Sequence, residues 1–151
     1  MLAGLLSGCG GAPPPLPPIM IDATITTAKD VDAGPGGVGA PTAIRIYQLG
    51  SSTRFKAVTF FPVFEKDVAT LKDDLVKRED LLLGPGQSKT LGLTREDRVH
   101  AIGVFAAYRD YDHVAWSGAV EVPAHQASKL TVTAGRAGLN LAIAPVKPPL
   151  T

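Results

Sequence analysis

The chain has 151 residues, of which 19% are charged, and its 15 Lys and Arg residues nearly balance its 14 Asp and Glu residues. A net charge of +1 argues against a generic nucleic-acid-binding protein, because such proteins usually carry a basic excess on one face. A single cysteine excludes a disulfide framework or a thiolate zinc site within one chain.

The amino-terminal residues carry no charge before Asp22, and they contain the stretch Leu5-Leu6-Ser7-Gly8-Cys9. An apolar stretch, two small residues and a cysteine form the pattern that lipoprotein signal peptidase requires. We therefore predict that Cys9 is lipidated and becomes the mature N-terminus, the alternative being an ordinary buried or free cysteine. Residues 1–8 lack the basic n-region and longer apolar core of a complete signal peptide, so we interpret them as a remnant of one. Gly10, where Asp would favour inner-membrane retention, is typical of outer-membrane lipoproteins.

Residues 11–18 contain five prolines. Such a tract favours an extended polyproline II conformation at about 3.1 Å per residue, which would hold a domain roughly 25 Å from the bilayer. A disordered tail without a role is the alternative interpretation. We expect four segments: a signal-peptide remnant at residues 1–8, a lipidated cysteine with its tether at 9–18, a β-sandwich domain at 19–144 and a C-terminal tail at 145–151.

Short strand-like segments dominate the rest of the chain, with residue alternation at period two or β-branched and aromatic enrichment. The predicted strands are residues 19–26, 43–49, 79–83, 88–93, 99–108, 114–122, 129–134 and 139–143. Residues 62–74 give one helical pattern, in which Phe64, Val68 and Leu71 are predicted to face the core and Pro62 suits a first turn. Trp116 is predicted to pack in the core as well. Eight short strands and one inserted short helix predict a mainly all-β, two-sheet β-sandwich rather than βαβ units.

Catalytic and cofactor-binding motifs are not convincing in this sequence. Residues 34–39 match GxGxxG formally, but Pro41 and a strand follow where a dinucleotide site needs a helix N-terminus. The three histidines, at positions 100, 113 and 125, are scattered without metal-ligand spacing. Asp110 and Asp112 lie in a predicted hairpin turn, where Asp is an ordinary turn residue. We therefore expect no catalytic residues, metal, cofactor or small-molecule substrate.

The long connection at residues 29–41 separates two predicted strands, whereas hairpin loops normally have two to five residues. Longer loops are often functional, and a glycine-rich loop is costly to order, as expected of a segment that orders on a partner. A mobile crossover connection is the alternative. Asp30 and Asp32 would meet a basic partner surface. The predicted partner-binding residues are Lys29, Asp30, Val31, Asp32, Ala33, Gly34, Pro35, Gly36, Gly37, Val38 and Gly39.

From residue 19 to about residue 143 the chain resembles the TssJ (SciN) family of type VI secretion lipoproteins. Four stretches carry the resemblance, with Trp116 six residues after the last: residues 45–49 (RIYQL), 60–67 (FFPVFEKD), 81–86 (LLLGPG) and 103–110 (GVFAAYRD). The resemblance implies a transthyretin-like sandwich with an added helical element. It also implies an outer-membrane lipoprotein, facing the periplasm, that binds the periplasmic C-terminal part of the inner-membrane protein TssM. The family's contact loop maps onto residues 29–41.

Two other interpretations remain open. One is a different sandwich lipoprotein of the cell envelope, such as a chaperone or a pilus-assembly pilotin. The other is an enzyme on a transthyretin-like sandwich, as in hydroxyisourate hydrolases. Those enzymes end in a Tyr-Arg-Gly-Ser signature, whereas this chain ends in Lys147-Pro148-Pro149-Leu150-Thr151, which argues against that alternative.

Replacement of Cys9 by Ser tests the predicted lipid anchor. Triacylation buries some forty or more methylenes at about 0.8 kcal/mol each, so the wild-type protein should fractionate with membranes and Cys9→Ser should be periplasmic and soluble. The measurement is fractionation after labelling with radioactive palmitate. Equal membrane association of the two forms, or no label on the wild type, would contradict lipidation.

Overall fold

A computed structural model describes residues 18–147 together with Gly8, Gly10 and Gly11, so Cys9 and the prolines at 13–17 lie outside the described residues. The eight strands are β1 (Ile19–Thr27), β2 (Thr42–Leu49), β3 (Leu75–Leu83), β4 (Ser88–Arg95), β5 (Ala101–Ala106), β6 (Ser117–Glu121), β7 (Ser128–Gly135) and β8 (Gly138–Pro145). Between β2 and β3 lie the helices α1 (Thr53–Ala57) and α2 (Phe60–Leu71) and a 3-10 turn, Lys72–Asp74. Within the described part of the chain, neither helix is long and apolar enough to cross a membrane.

The strands form two four-stranded sheets with the orders β4-β1-β7-β8 and β3-β2-β5-β6. Neighbouring strands are antiparallel except β1 and β7, which run parallel. Alternate residues of each sheet face inward, and Ile21, Ala23 and Ile25 of β1 are fully buried against Ile44 and Ile46 of β2 in the central core. The two-sheet sandwich predicted from the sequence is therefore confirmed.

Strand β1 gives the sandwich two distinct ends. Its first residue pairs with Arg95, and Arg95 donates hydrogen bonds to the carbonyl oxygens of Val99 and Pro123. We call this the tether end, because the chain enters here from residue 18. The last residues of β1 lie beside the connections 28–41, 84–87 and 107–116, which meet at the opposite, loop end. Residue 18 and the long connection are thus at opposite ends of one strand.

Helix α2 lies on the outer face of the β3-β2-β5-β6 sheet and creates a second apolar cluster there. Phe60, Val63 and Leu71 of the helix pack with Tyr47 of β2 and Phe105 of β5. The helix was predicted to bury Phe64, Val68 and Leu71, and this register is correct only for Leu71, since Phe64 is 39% and Val68 is 68% exposed.

A polar residue caused the wrong register. The buried face of α2 consists of Phe60, Val63, Asp67 and Leu71, so its third member is a carboxylate that a hydrophobic pattern does not reveal. The helix also departs from regular geometry at Lys66, with φ −142° and ψ 51°, where two helical segments meet at a kink. Pro62 lies in the first turn as predicted, and because a backbone N–H in the first turn has no intrahelical acceptor, proline costs no hydrogen bond there.

Asp67 is held by hydrogen bonds from three directions. Tyr47 donates through its hydroxyl at 3.0 Å, and Arg78 of β3 donates through Nη1 at 2.6 Å. The amide of Val68 donates to the other carboxylate oxygen at 2.8 Å. This carboxylate therefore joins the helix to two strands, directly after the kink at Lys66.

The electrostatics of this cluster follow from burial and pairing. Burial alone would raise the pKa of Asp67, but hydrogen bonds from Arg78 and Tyr47 stabilise the ionised form, and the resulting pKa is lowered. Burial raises the pKa of Tyr47 to about 12, so its hydroxyl remains a donor at neutral pH. Since the folded-state pKa of Asp67 is below its unfolded value, its stabilisation is complete above about pH 4 and is lost as the pH falls through the folded-state pKa.

We predict that Asp67→Asn lowers the free energy of unfolding at pH 7 by roughly 1.5–3 kcal/mol, because charged hydrogen bonds at a buried site are lost. The variant should also lose part of the acid sensitivity of the wild type. Asp80→Asn is the matched control, since Asp80 contacts the same Arg78 but is 57% exposed, and its effect should stay below about 1 kcal/mol. Urea unfolding at pH 7 and pH 3.5 measures both effects, and equal losses for the two variants would contradict the assignment.

Candidate protein-binding interface

The connection between β1 and β2 is held by the domain through much of its length. Val31 is fully buried in the sandwich core, and its carbonyl oxygen accepts a hydrogen bond from the amide of Ala40. Further turns are closed between Ala28 and Val31 and between Gly34 and Gly37. The sequence suggested a segment that orders on a partner, whereas both limbs of this loop are already fixed.

An ion pair clamps the loop to the β5–β6 connection. The side chain of Asp32 is 6% exposed and accepts hydrogen bonds from the amide of Arg109 at 2.9 Å and from its Nε at 3.1 Å. The second guanidinium nitrogen of Arg109 donates to the carbonyl oxygen of Asp32. Asp32 has a φ of +49°, a conformation that Asp tolerates better than most residues. The expectation that the Asp32 carboxylate meets a basic partner is therefore wrong, because Arg109 of the same chain already neutralises it.

The base of the loop is too crowded for any side chain at Gly39. A Cβ atom there would lie 2.2 Å from the carbonyl oxygen of Lys29 and 2.9 Å from Cγ of Pro85. The amide of Gly86 donates to the carbonyl oxygen of Ala28, which ties the β3–β4 turn to the same base. Glycine at position 39 thus permits a close backbone approach rather than flexibility.

The tip of the loop is the part that faces solvent. Residues 35–38 are exposed, Val38 is 76% exposed, and Gly37 has a φ of +74°. Among the other predicted partner-binding residues, Lys29 is exposed, and Asp30, Ala33, Gly34 and Gly39 are half-buried. Val31 and Asp32 are buried, so their side chains support the loop rather than contact a partner.

A cleft of about 500 Å³ lies beside the loop tip. Its lining residues are Asp32, Ala33, Gly34, Pro35, Tyr108, Arg109, Asp110, Val114 and Arg136. Tyr108 donates its hydroxyl to the carbonyl oxygen of Gly135 at 2.8 Å, and burial raises its pKa, so it is neutral at physiological pH. Asp110 lies 2.6 Å from Nδ1 of His113, and this contact raises the pKa of the exposed histidine.

The described residues contain no group of three or more His, Cys, Asp or Glu side chains that could hold a metal ion. Residues 109–113 form a turn, as the sequence predicted, and the Asp110–His113 pair lies at the surface of that turn. Sequence reasoning missed Arg109 as a loop support, because its partner Asp32 is 77 positions away. The loop end is therefore a surface whose exposed tip is held in place by the buried residues beneath it.

A model of the T6SS-SciN family, described as type VI secretion lipoprotein (VasD, EvfM, TssJ), matches residues 20–137. The chain belongs to this family. The match spans β1 from its second residue through β7 and ends directly before β8, and it confirms the resemblance drawn from the sequence. No curated protein matches the chain significantly.

Solved structures agree with the family assignment. The T6SS lipoprotein TssJ1 from Pseudomonas aeruginosa superposes with a TM-score of 0.81 at 28% identity, over 87% of this chain and 100% of that chain. Serratia marcescens Lip, a membrane-bound component of the type VI secretion system, gives 0.73 at 27% identity, over 87% and 99% of the two chains. A chain in the structure of the TssM C-terminal domain (869-1107) from EAEC gives 0.66 at 20% identity, over 84% and 98%, and this shows the fold alone.

We predict that Arg109→Ala releases the loop of this type VI lipoprotein without unfolding the domain. The buried carboxylate of Asp32 would keep one backbone donor, and the loss of charged hydrogen bonds should cost roughly 1.5–3 kcal/mol locally. Amide hydrogen exchange at residues 29–39 should accelerate about 10- to 100-fold, while exchange in β5 stays unchanged. Arg136→Ala is the control, because Arg136 lines the same cleft without clamping the loop; equal acceleration in both variants would contradict the clamp.

Proposed function

We propose that this type VI secretion lipoprotein is a non-enzymatic adaptor, anchored by lipidated Cys9 to the outer membrane on its periplasmic side. Its loop end binds the periplasmic C-terminal domain of a TssM-like inner-membrane protein. The observation that carries the proposal is the arrangement of the two ends on β1. Tether and loop are separated by a nine-residue strand, which spans about 27 Å at roughly 3.3 Å per residue.

This separation makes both attachments compatible. A domain held by a tether at residue 18 presents its tether end to the bilayer and its loop end to the periplasm. A partner reaching across the periplasm from the inner membrane would meet the loop end first. The family resemblance favours this partner, and the exposed apolar tip at residues 35–38 would provide the contact surface.

The fixed limbs of the loop favour binding energetically. Association loses affinity for every segment that must be ordered, so a loop already held by Val31 and the Asp32–Arg109 clamp avoids most of that cost. A solvent-exposed valine at the tip, Val38, gives the partner apolar area to bury. We therefore place the contact at the tip, supported by residues 29–33 and Gly39.

Val38→Asp tests the loop tip as the contact. A charge buried at the centre of an interface should weaken binding to the TssM-like periplasmic domain roughly 10- to 100-fold, as loss of a hot-spot contact does. Val146→Asp is the matched control, because Val146 is 47% exposed and follows β8 at the tether end. Binding is measured by calorimetry with the Cys9→Ser chain, and thermal melts confirm folding.

Wild-type affinity in Val38→Asp would remove the tip from the contact. If the wild-type chain itself showed no binding to that domain, the proposed partner would be wrong. An envelope chaperone or pilotin role would then be the next hypothesis.

A further inference from the structure

A groove of about 410 Å³ at the loop end is lined mainly by aromatic side chains. Its lining residues are Val58, Thr59, Phe60, Phe61, Tyr111, Asp112 and Trp116. We infer that this groove binds a lysine or arginine side chain of the protein partner, with the cation between the aromatic rings and Asp112. The inference rests on the proposed adaptor function and adds a second contact to it.

The rings are fixed by their packing on Phe60, which is only 7% exposed. Tyr111 stacks on Phe60 with centroids 4.5 Å apart, and Trp116 approaches it edge-on at 5.3 Å. Phe61 meets Tyr111 edge-on at 5.1 Å and remains 47% exposed. A ligand therefore meets aromatic surface that needs no rearrangement before it binds.

Asp112 gives the groove its charge preference. It is the only charged residue in the lining, it is exposed, and it forms no ion pair with a described residue. The neighbouring His113 hydrogen-bonds to Asp110 instead. An apolar ligand would desolvate the Asp112 carboxylate without replacing its water contacts, whereas a cation would pair with it.

The same aromatic cluster already binds a cation of its own chain. The guanidinium carbon of Arg45 lies 5.6 Å from the centroid of Phe64 and 5.3 Å from that of Phe105, and both rings lie within contact distance of Phe60. A cation over an aromatic face within about 6 Å is attracted by the ring quadrupole. The methylene stem of a lysine or arginine would cover the exposed rings while its charged group reaches Asp112.

The groove is continuous with the proposed interface through the turn at residues 109–112. Arg109 and Asp110 line the cleft beside the loop tip, while Tyr111 and Asp112 line the aromatic groove. One turn thus forms a wall of both depressions, so a partner seated on the loop tip lies next to the groove. This continuity, together with the charge of Asp112, favours a side chain of that partner over an unrelated ligand.

Two variants separate the charge from the aromatic face. Asp112→Asn removes the charge at constant shape, and Phe61→Leu removes a π-face but keeps an apolar side chain. Each should weaken binding to the TssM-like periplasmic domain about three- to ten-fold, in line with a cation–π and ion-pair contact. Asp97→Asn, an exposed aspartate at the tether end, is the matched control and should bind as wild type.

Binding within twofold of wild type for both groove variants would overturn the inference. Retained binding in Asp112→Asn with weakened binding in Phe61→Leu would also overturn it, because the aromatic face would then be recognised without a cation at Asp112. If Val38→Asp binds normally while both groove variants lose affinity, the groove is a partner contact and the loop tip is not.

Trp116 is the only tryptophan in the chain, so its fluorescence reports on the groove without any partner. The Cys9→Ser chain is titrated with Nα-acetyl-lysine amide and with its neutral analogue Nα-acetyl-norleucine amide. The lysine compound should give half of its response at a concentration about three- to ten-fold lower, and this preference should vanish in Asp112→Asn. Equal responses to the two compounds would overturn the cation assignment. If the lysine compound is preferred but the wild-type chain does not bind the partner domain, the cation site in the groove is supported and the proposed partner is wrong.

Discussion

Strand β1 lies between β4 and β7 and is hydrogen-bonded to both along almost its full length, so it fixes the two ends of the molecule relative to each other. Its first residue is one position beyond the predicted tether, and its last residue leads directly into the loop that we propose binds the partner. A pull between membrane and partner would therefore act along this strand. The hydrogen bonds to its neighbours are roughly perpendicular to that pull and would be loaded together in shear. A central strand resists such loading better than an edge strand, because both of its sides must slip.

The loop end combines two properties that usually exclude each other. Long glycine-rich connections are entropically costly to fix, and yet this one is fixed by a buried valine, an ion pair and close backbone contacts around Gly39. Folding of the sandwich supplies that ordering before any partner arrives. The exposed tip is therefore short, and the proposed contact surface consists of Pro35 and Val38 together with the neighbouring turn at residues 109–113.

Local patterns in the sequence predicted a strand correctly where one face of that strand is apolar throughout. Alternation identified β1, β2 and β7, and turn residues at 84–86 and 109–113 marked two connections correctly. The charged run at residues 77–80 hid the start of β3, so the predicted strand began at residue 79 and missed residues 75–78; edge strands carry charge on their outer face. Helix α1 was missed because it has five residues and a single buried side chain, Phe55.

The candidate site was predictable only in part, for a related reason. Loop length pointed to residues 29–39, but the roles inside the loop depend on contacts between distant positions. Asp32 looks like an exposed acid in sequence and becomes a buried support once Arg109 is beside it. Asp67 looks like a solvated helix residue and becomes the centre of a buried polar network. In both cases a carboxylate took an interior position because an arginine from another element came with it, and a hydrophobic pattern carries no signal for such pairs.

The aromatic residues around Phe60 show how the inserted helix links stability to recognition. Phe60 and Phe105 close the second core, whereas Phe61 and Phe64, one and four positions after Phe60, remain 47% and 39% exposed. Burying one part of an aromatic cluster rigidifies the other part, since the exposed rings stack on buried ones that cannot move. Folding alone does not require exposed phenylalanines next to an aspartate that pairs with no described residue, and a contiguous exposed aromatic surface is typical of interaction sites. The kink at Lys66, next to Asp67, separates the part of α2 that carries Phe61 and Phe64 from the part that carries Val68. The polar network beneath the helix thereby positions the rings at the loop end, where the proposed partner would meet them.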